Sequence, residues 1–242
     1  MYLVIDIGNT LHKTAVFSEN GEMLELWKFQ HLTPSRLSQL FEKYPFSHAV
    51  FSSVGKYNAD IEMFIKEHCP LLVLSSDTSL PIKIKYLTPN SLGPDRMANA
   101  VGANRLYPSQ NVLSIQAGSC LVCDFVNAQN EYLGGSISPG IDMRLKALRH
   151  YTKKLPEVKK KLTVGMIGTS TEESILKGVM NGIVYEIEGL ISAYIQQYGA
   201  LKVLLTGGDA DLLQNSIKFP IFAAPNLVLW GLYEILRYNV EN

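Results

Sequence analysis

The chain has 242 residues, of which 47% are hydrophobic, and its 22 Lys and Arg residues are balanced by 22 Asp and Glu residues. This length and apolar content are enough to bury a core in one large domain or in two small ones. Because the formal net charge is zero, no overall positive field attracts nucleic acid or an anionic membrane, so we expect neither as a partner.

The N-terminal segment reaches Asp6 before any basic segment or long apolar core has formed, which predicts a first strand rather than a signal peptide. Three cysteines, Cys69, Cys120 and Cys123, fit a reducing compartment better than a disulfide framework, so we expect a cytoplasmic protein. Cys120 and Cys123 form a C-x-x-C, but side chains three apart on a strand point to opposite faces. We therefore expect neither a metal-binding nor a redox role for these cysteines.

Hydrophobic periodicity and turn residues predict two half-chains with similar element orders. In the first half, strands are expected at 2–7, 13–18, 23–30, 48–53 and 71–75, and helices at 35–44 and 59–68. In the second half, strands are expected at 112–117, 120–127, 130–137 and 202–205, and helices at 141–151, 171–198 and from Pro225 onward. The halves meet across a helix expected at 96–106, and we divide them into lobes of residues 1–107 and 108–242.

Matching strand-turn-strand segments begin the two halves. In each, an apolar strand runs into a Gly followed by a hydroxyl residue, at Gly8 to Thr10 and at Gly118-Ser119. Because glycine has no side chain, backbone N–H groups in such turns are accessible and can approach a phosphate. Two of them at equivalent places indicate a duplicated fold that clamps a nucleoside triphosphate between its halves.

The first turn carries the groups that a magnesium-bound polyphosphate requires. An acid beside polyphosphate is repulsive unless a cation lies between them, so Asp6 is expected to face Mg²⁺ directly or through its water. Gly8, Asn9 and Thr10 can donate to phosphate oxygens, and Lys13 adds positive charge if its side chain turns inward. The alternative is a β-hairpin whose Asp and Asn only satisfy the turn.

A third nucleotide element is expected at Thr206, Gly207 and Gly208, where a buried strand ends in two glycines before a helix. Without side chains, these positions let a flat ring or a ribose lie against the backbone. An ordinary strand-to-helix turn is the alternative. The presence of all three elements in this order favours the nucleotide interpretation.

The acceptor side is expected in the loop at 88–99, which delivers Asp95 and Arg96 to a helix start. The Asp95 carboxylate would accept the proton of a substrate hydroxyl during phosphoryl transfer; in a loose transition state the proton leaves late, so a positioned weak base suffices. Arg96 would hold an anionic or carbonyl group of the acceptor. The alternatives are that Asp95 is only an N-cap and Arg96 only a surface ion pair.

Six segments together resemble the type III pantothenate kinase family, in order and over nearly the whole chain. They are D-I-G-N-T at 6–10, L-G-P-D-R at 92–96, G-G-S-I-S-P-G at 134–140, G-T-S-T-E-E-S-I at 168–175, T-G-G at 206–208 and P-N-L-V-L-W-G-L at 225–232. The layout also resembles the actin, Hsp70 and hexokinase superfamily. This implies an α/β, duplicated ribonuclease-H-like (actin-like) fold of two lobes, each a mixed five-stranded sheet flanked by helices.

The resemblance implies an activity and its cofactors. Members of the family phosphorylate the primary hydroxyl of pantothenate with ATP, the first committed step toward coenzyme A. They work as homodimers, and they use Mg²⁺ and a monovalent cation, usually K⁺ or NH₄⁺. Two alternatives remain: a kinase for another small hydroxylated metabolite, against which the segment 93–96 argues, and a catalytically weak nucleotide-binding regulator.

Site residues carry over position by position from the same resemblance. The nucleotide-binding set is Asp6, Ile7, Gly8, Asn9, Thr10, Leu11, His12, Lys13, Ser119, Gly207 and Gly208. The pantothenate-binding set is Tyr86, Gly93, Pro94, Asp95, Arg96 and Thr171, with Asp95 as the catalytic proton acceptor. Tyr86 has simple packing as its alternative, and Thr171 has capping of the helix that follows it.

One position departs from the family pattern. Gln116 lies where the family has an Asp that holds the monovalent cation, so an oxygen ligand remains but its negative charge is lost. The expected dependence on K⁺ or NH₄⁺ is correspondingly reduced or altered. Asp124 is the acid left in this segment, and it either takes part or faces solvent at a strand end.

Overall fold

The computed structural model describes residues 1–241, and contacts between them define two compact units. The first contains Met1–Pro108, Asn130–Leu133 and the C-terminal segment from Asn226; the second contains Ser109–Gln129 and Gly134–Pro225. The break at Pro108 lies one residue from the division expected from sequence. The C-terminal segment nevertheless groups with the first unit, because the helix in it packs there.

The first unit is built on a five-stranded sheet. Its strands are β1 (Tyr2–Ile7), β2 (His12–Phe17), β3 (Met23–Phe29), β4 (His48–Ser53) and β5 (Leu71–Val73), with helices α1 (Pro34–Lys43) and α2 (Asp60–His68). The strand order is β3-β2-β1-β4-β5; β1 is antiparallel to β2 and parallel to β4. Leu3, Ile5 and Ile7 alternate along β1 into a core with α1 and α2, which directs Asp6 to the opposite face.

The second sheet repeats this order and adds one strand. After β6 (Lys83–Ile84) and α3 (Pro94–Leu106) come β7 (Val112–Ala117), β8 (Cys120–Val126), β9 (Glu131–Pro139), α4 (Ile141–Tyr151), α5 (Thr171–Tyr198), β10 (Lys202–Thr206), α6 (Ala210–Leu213) and β11 (Phe222–Ala223). The strand order is β11-β10-β7-β8-β9-β6. In the reverse direction, β9-β8-β7-β10-β11 correspond one by one to β3-β2-β1-β4-β5 of the first sheet. The duplication is confirmed. We expected five strands in the second sheet, but it has six, because β6 pairs with Glu131 and Tyr132 of β9. The two residues of β6 are too few to show a pattern in the sequence.

The final helix, α7 (Leu227–Glu241), packs closely against α3 within the first unit. A Cβ added to Gly231 would lie 1.7 Å from the Ala98 backbone oxygen, and one added to Gly102 would lie 2.6 Å from that of Leu227. Only glycine permits this approach. The helix begins at Leu227 instead of Pro225, because Asn226 adopts a left-handed φ of 58°.

The long helix α5 is started by a side-chain cap. Ser170 accepts a hydrogen bond from the Glu173 backbone N–H at 3.2 Å, while the Glu173 carboxylate accepts one from the Thr169 N–H at 2.9 Å. Across residues 1–241, no helix combines the length and the apolar character that crossing a bilayer would require.

Candidate active site

Three polar side chains form a row across neighbouring strands of the first sheet. Asp6 on β1 is paired with Lys13 on β2 and with Ser52 on β4, so all three side chains lie on one face. Asp6 is 8% exposed and Ser52 is 1% exposed. One carboxylate oxygen of Asp6 and the Ser52 hydroxyl are buried with no hydrogen-bond partner in the described part of the chain. The sequence pattern did not reveal Ser52, because only the register brings it beside Asp6.

The electrostatic setting of Asp6 is unusual for a carboxylate. Burial raises its pKa from 3.8 to about 6, the charge on Lys13 opposes this shift, and the charge on Asp95 adds to it. Lys13 is turned inward beside Asp6, and burial lowers its pKa although Asp6 acts to raise it. A buried acid with an unsatisfied oxygen and only one cation beside it is suited to binding a further cation.

The turn from Gly8 to Leu11 forms one wall of a cavity of about 500 Å³. Gly8 N–H donates to the Leu11 oxygen at 3.2 Å, and a Cβ on Gly55 would lie 2.7 Å from the Gly8 oxygen, so the turn is held from behind. The cavity lining is otherwise polar and consists of Asn9, Thr10, His12, Gln30, His31 and Lys56. No sequence pattern indicated Gln30, His31 and Lys56 as site residues.

The expected phosphate loop also contains Ile7, which does not line this cavity, and His12, which does. Ile7 is fully buried in the core, and its backbone oxygen accepts from Val54 and Gly55. His12 accepts a hydrogen bond at Nδ1 from the Leu32 N–H, which places the proton of the neutral ring on Nε2. Burial lowers the pKa of His12, and His31, which contacts it edge-on, lowers it further.

Asp95 lies in the first turn of α3, on the face of the sheet that carries Asp6. Its Oδ1 accepts from the Arg96 backbone N–H at 2.9 Å. Burial raises the pKa of Asp95, while the Arg96 N–H and guanidinium act to lower it. A Cβ on Gly93 would lie 2.6 Å from Oδ1, so glycine leaves room for the carboxylate. Asp95 is therefore not the N-cap of α3; that position is Gly93.

Arg96 is buried, and two tyrosine rings contact its guanidinium. Its Cζ lies 5.7 Å from the ring centre of Tyr86 and 5.9 Å from that of Tyr132, within cation–π range. The surface ion pair considered from sequence is thus excluded, since Arg96 is only 7% exposed. Tyr132 could not be found from sequence because it is distant along the chain from Arg96.

In the second unit, two glycines contact residues 117–119, which contain the expected second phosphate turn. A Cβ on Gly140, just before α4, would lie 2.0 Å from the Gly118 oxygen, and one on Gly207 would lie 2.1 Å from the Ala117 oxygen. Gly207 has a φ of 99°, and Gly208 has open space where a Cβ would be. The expected second phosphate turn and the expected adenosine segment are thus direct neighbours.

Gln116, Ser114 and Asp124 lie on one face of the second sheet, opposite the face that carries Leu113 and Ile115. The amide oxygen of Gln116 is buried without a hydrogen-bond partner within residues 1–241. Asp124 is fully buried, so its alternative as a solvent-facing acid at a strand end was wrong. The strand pairing places Asp124 opposite Ser114 and away from the strand end.

Thr171 is the first residue of α5 and is exposed. Ser170 caps this helix, so the capping role considered for Thr171 was wrong, and its hydroxyl remains available for a ligand.

Comparisons with known proteins identify the family of this chain. Residues 2–193 match the family model described as type III pantothenate kinase. The chain belongs to the type III pantothenate kinase family.

Relatives of this family match almost end to end. The type III pantothenate kinase of Cytophaga hutchinsonii is 44% identical over 245 residues, covering 99% of this chain and 100% of that protein. That of Christiangramia forsetii is 42% identical over 241 residues, covering 99% of both chains. The predicted family and its kinase activity are confirmed.

A solved structure supports the fold class alone. A Sinorhizobium meliloti protein with a suggested 2-dehydro-3-deoxygalactonokinase assignment has a TM-score of 0.64 at 13% identity, covering 99% of both chains. The predicted actin-like class of ATPase and sugar-kinase folds is confirmed.

Proposed function

We propose that this kinase transfers the terminal phosphoryl group of ATP to the primary hydroxyl of pantothenate, the first step of coenzyme A biosynthesis. The observation that carries the proposal is the arrangement of Asp6 and Asp95 on one face of the first unit, close enough for the Asp95 charge to raise the pKa of Asp6. It pairs an acid suited to a metal-bound phosphate with an acid suited to an alcohol.

Asp6 is proposed to hold Mg²⁺, directly or through a water. The fit is chemical: Mg²⁺ prefers hard oxygen ligands, and Asp6 offers a buried carboxylate oxygen without a hydrogen-bond partner in the described chain. When bound, the ion would neutralise charge on the phosphates. Lys13 adds a positive charge beside Asp6, and the turn residues Gly8, Asn9 and Thr10 line a cavity that would receive the phosphates.

Asp95 is proposed to accept the proton of the pantothenate hydroxyl. Burial raises the pKa of Asp95 from its usual value, which brings its basicity closer to that needed near neutral pH. Gly93 and Pro94 shape the helix start around it. Arg96, with its charge beside Tyr86, would hold the carboxylate or a carbonyl of pantothenate, and Thr171 would donate a hydroxyl to the same substrate.

Ser119, Gly207 and Gly208 are proposed to bind the nucleotide in the second unit. Gly208 leaves backbone accessible, and the turn at Gly118-Ser119 lies directly beside Gly207 through Ala117. Gln116 would contribute its buried amide oxygen to a K⁺ or NH₄⁺ ion, with a weaker hold than a carboxylate would give.

The protein is proposed to act as a homodimer. In the segment between α4 and α5, Leu162, Val164, Met166 and Ile167 are 60% to 90% exposed. A run of apolar side chains exposed to this degree fits burial against a second copy. Ile167→Asp is expected to shift the protein from dimer to monomer in sedimentation analysis. Leu87 is fully exposed and lies outside this segment, so Leu87→Asp is the control and should leave the assembly unchanged.

A coupled assay with ATP and pantothenate, run in parallel with K⁺, NH₄⁺ and Na⁺, tests the activity. Asp95→Asn keeps the shape of the side chain but removes the base, and kcat is expected to fall by about 10²- to 10⁴-fold with the melting temperature retained. Wild-type protein that transfers no phosphate to pantothenate, or an Asp95→Asn variant of normal kcat, would contradict the proposal.

A further inference from the structure

One lysine in an irregular segment joins two parts of the second unit. Residues 152–170 contain no helix or strand, yet the segment is held in place by Val158, which is 8% exposed in the core, and by Lys160. The Lys160 Nζ donates to Asp142 Oδ2 at 2.6 Å and to Asp209 Oδ1 at 2.7 Å. We call this arrangement the Lys160 clasp.

Both acids of the clasp belong to turns that contact residues 117–119. Asp142 is in the first turn of α4, whose N-cap is Gly140, and the Gly140 N–H donates to the Ser119 oxygen at 3.2 Å. Asp209 follows the Gly207-Gly208 pair, and its own N–H donates to the Ala117 oxygen at 3.0 Å. One ammonium group thus ties together the two segments that flank the second phosphate turn.

The Asp209 side chain depends on this lysine. Asp209 is only 6% exposed, and a buried carboxylate that loses its cation is left uncompensated. Although burial alone would lower the pKa of Lys160, its hydrogen bonds to the carboxylates of Asp142 and Asp209 raise it, so the lysine stays charged at neutral pH. Without Lys160, Asp209 would have to move toward water, and the backbone of the Gly207-Gly208 turn would move with it.

We propose that Lys160 is a positioning residue for the nucleotide: it holds the 206–209 turn against the second phosphate turn without itself contacting ATP. This inference rests on the proposed function, in which Gly207 and Gly208 bind the nucleotide. The lysine-rich run at 159–161 looks like a solvated loop in sequence, and only the structure distinguishes Lys160 within it.

The first test uses the protein without nucleotide. Hydrogen exchange of the Asp209 amide, which donates to Ala117, is expected to be at least several-fold faster in Lys160→Met than in wild type. Lys159→Met, at the exposed neighbouring position, is the matched control and should leave this exchange rate unchanged. Unchanged Asp209 protection in Lys160→Met would overturn the clasp, whether or not the protein is a pantothenate kinase.

The second test measures nucleotide affinity and turnover. Lys160→Met should raise the KM for ATP on the order of tenfold while the KM for pantothenate stays constant, and Lys160→Arg should restore most of the loss. In a double-mutant cycle, the variant that combines Lys160→Met with Asp209→Asn should have a KM for ATP no higher than that of the more affected single variant.

The outcomes separate the two proposals. Additive effects of the two substitutions on the KM for ATP would mean that Lys160 acts on ATP directly. A wild-type affinity for ATP in Lys160→Met would mean that Lys160 does not position the turn. Either result refutes the inference. If wild-type protein neither binds ATP nor phosphorylates pantothenate, the proposed function fails and the positioning role fails with it, although fast Asp209 exchange would still establish the clasp as a structural tie.

Discussion

Replacing Asp6 by Asn is expected to stabilise the magnesium-free protein at neutral pH while it weakens catalysis. Burial raises the pKa of Asp6 from 3.8 to about 6, so between these values the folded protein binds more protons than the unfolded chain. The free energy of unfolding therefore falls as the pH rises through this window. Asn is neutral at every pH and does not suffer this loss.

The size of the effect follows from the shift. Each pKa unit corresponds to roughly 1.4 kcal/mol, so above pH 6 the charged Asp6 lowers the free energy of unfolding by about 3 kcal/mol relative to its protonated form. At pH 4.5 the same relation gives only about 1 kcal/mol. The attraction of Lys13 is already contained in the shifted pKa, so it needs no separate allowance.

Urea unfolding of wild type and Asp6→Asn, at pH 4.5 and pH 8 with a chelator present, measures this difference. The advantage of the variant should grow by about 2 kcal/mol between the two pH values, and millimolar Mg²⁺ should stabilise wild type but not Asp6→Asn. Asp77→Asn, at an exposed acid, controls for net charge. A variant that is no more stable than wild type at pH 8 would refute the assignment of Asp6 as a destabilised buried carboxylate.

Three further changes test packing and site geometry. Gly231→Ala should destabilise the protein by about 1–3 kcal/mol in urea unfolding, because its Cβ would lie 1.7 Å from a backbone oxygen of α3, whereas Gly189→Ala, with open space at its Cβ, should not. Gly93→Ala should displace the Asp95 carboxylate and lower kcat on the order of tenfold or more, with a circular dichroism spectrum like that of wild type. Wild type should show similar turnover in K⁺ and Na⁺, and Gln116→Asp should create a preference for K⁺; strong K⁺ selectivity that vanishes in Gln116→Ala would contradict this.

Much of the fold could be predicted because its strands are local patterns. The apolar run of β1 ends at a turn that contains a glycine and a hydroxyl residue, and an equivalent run and turn begin the second half, so the duplication is visible without any long-range information. Asp95 and Arg96 could be placed at a helix start because a Gly-Pro pair precedes them. Each of these predictions depends on residues within about one turn or strand of one another.

The contacts that the sequence did not reveal are those set by register and by distant packing. Ser52 lies beside Asp6 only because β1 and β4 pair in parallel with those two residues aligned. Tyr132 reaches Arg96 because β9 begins beside β6, a strand of two residues with no pattern of its own. A shift of one residue in either pairing would turn these side chains to the other face.

The grouping of α7 with the first unit has the same origin. Counting along the chain assigns the last helix to the second half, but Gly231 and Gly102 let it approach α3 at backbone distance. On the same face of the first sheet, α7 places Tyr233 in a stack with Phe17, at 4.6 Å between ring centres. The helix that supports Asp95 is therefore held by the C-terminal residues of the chain. It follows that substitutions in α7 that loosen this packing should alter kcat through α3 even though α7 contributes no side chain to the proposed chemistry.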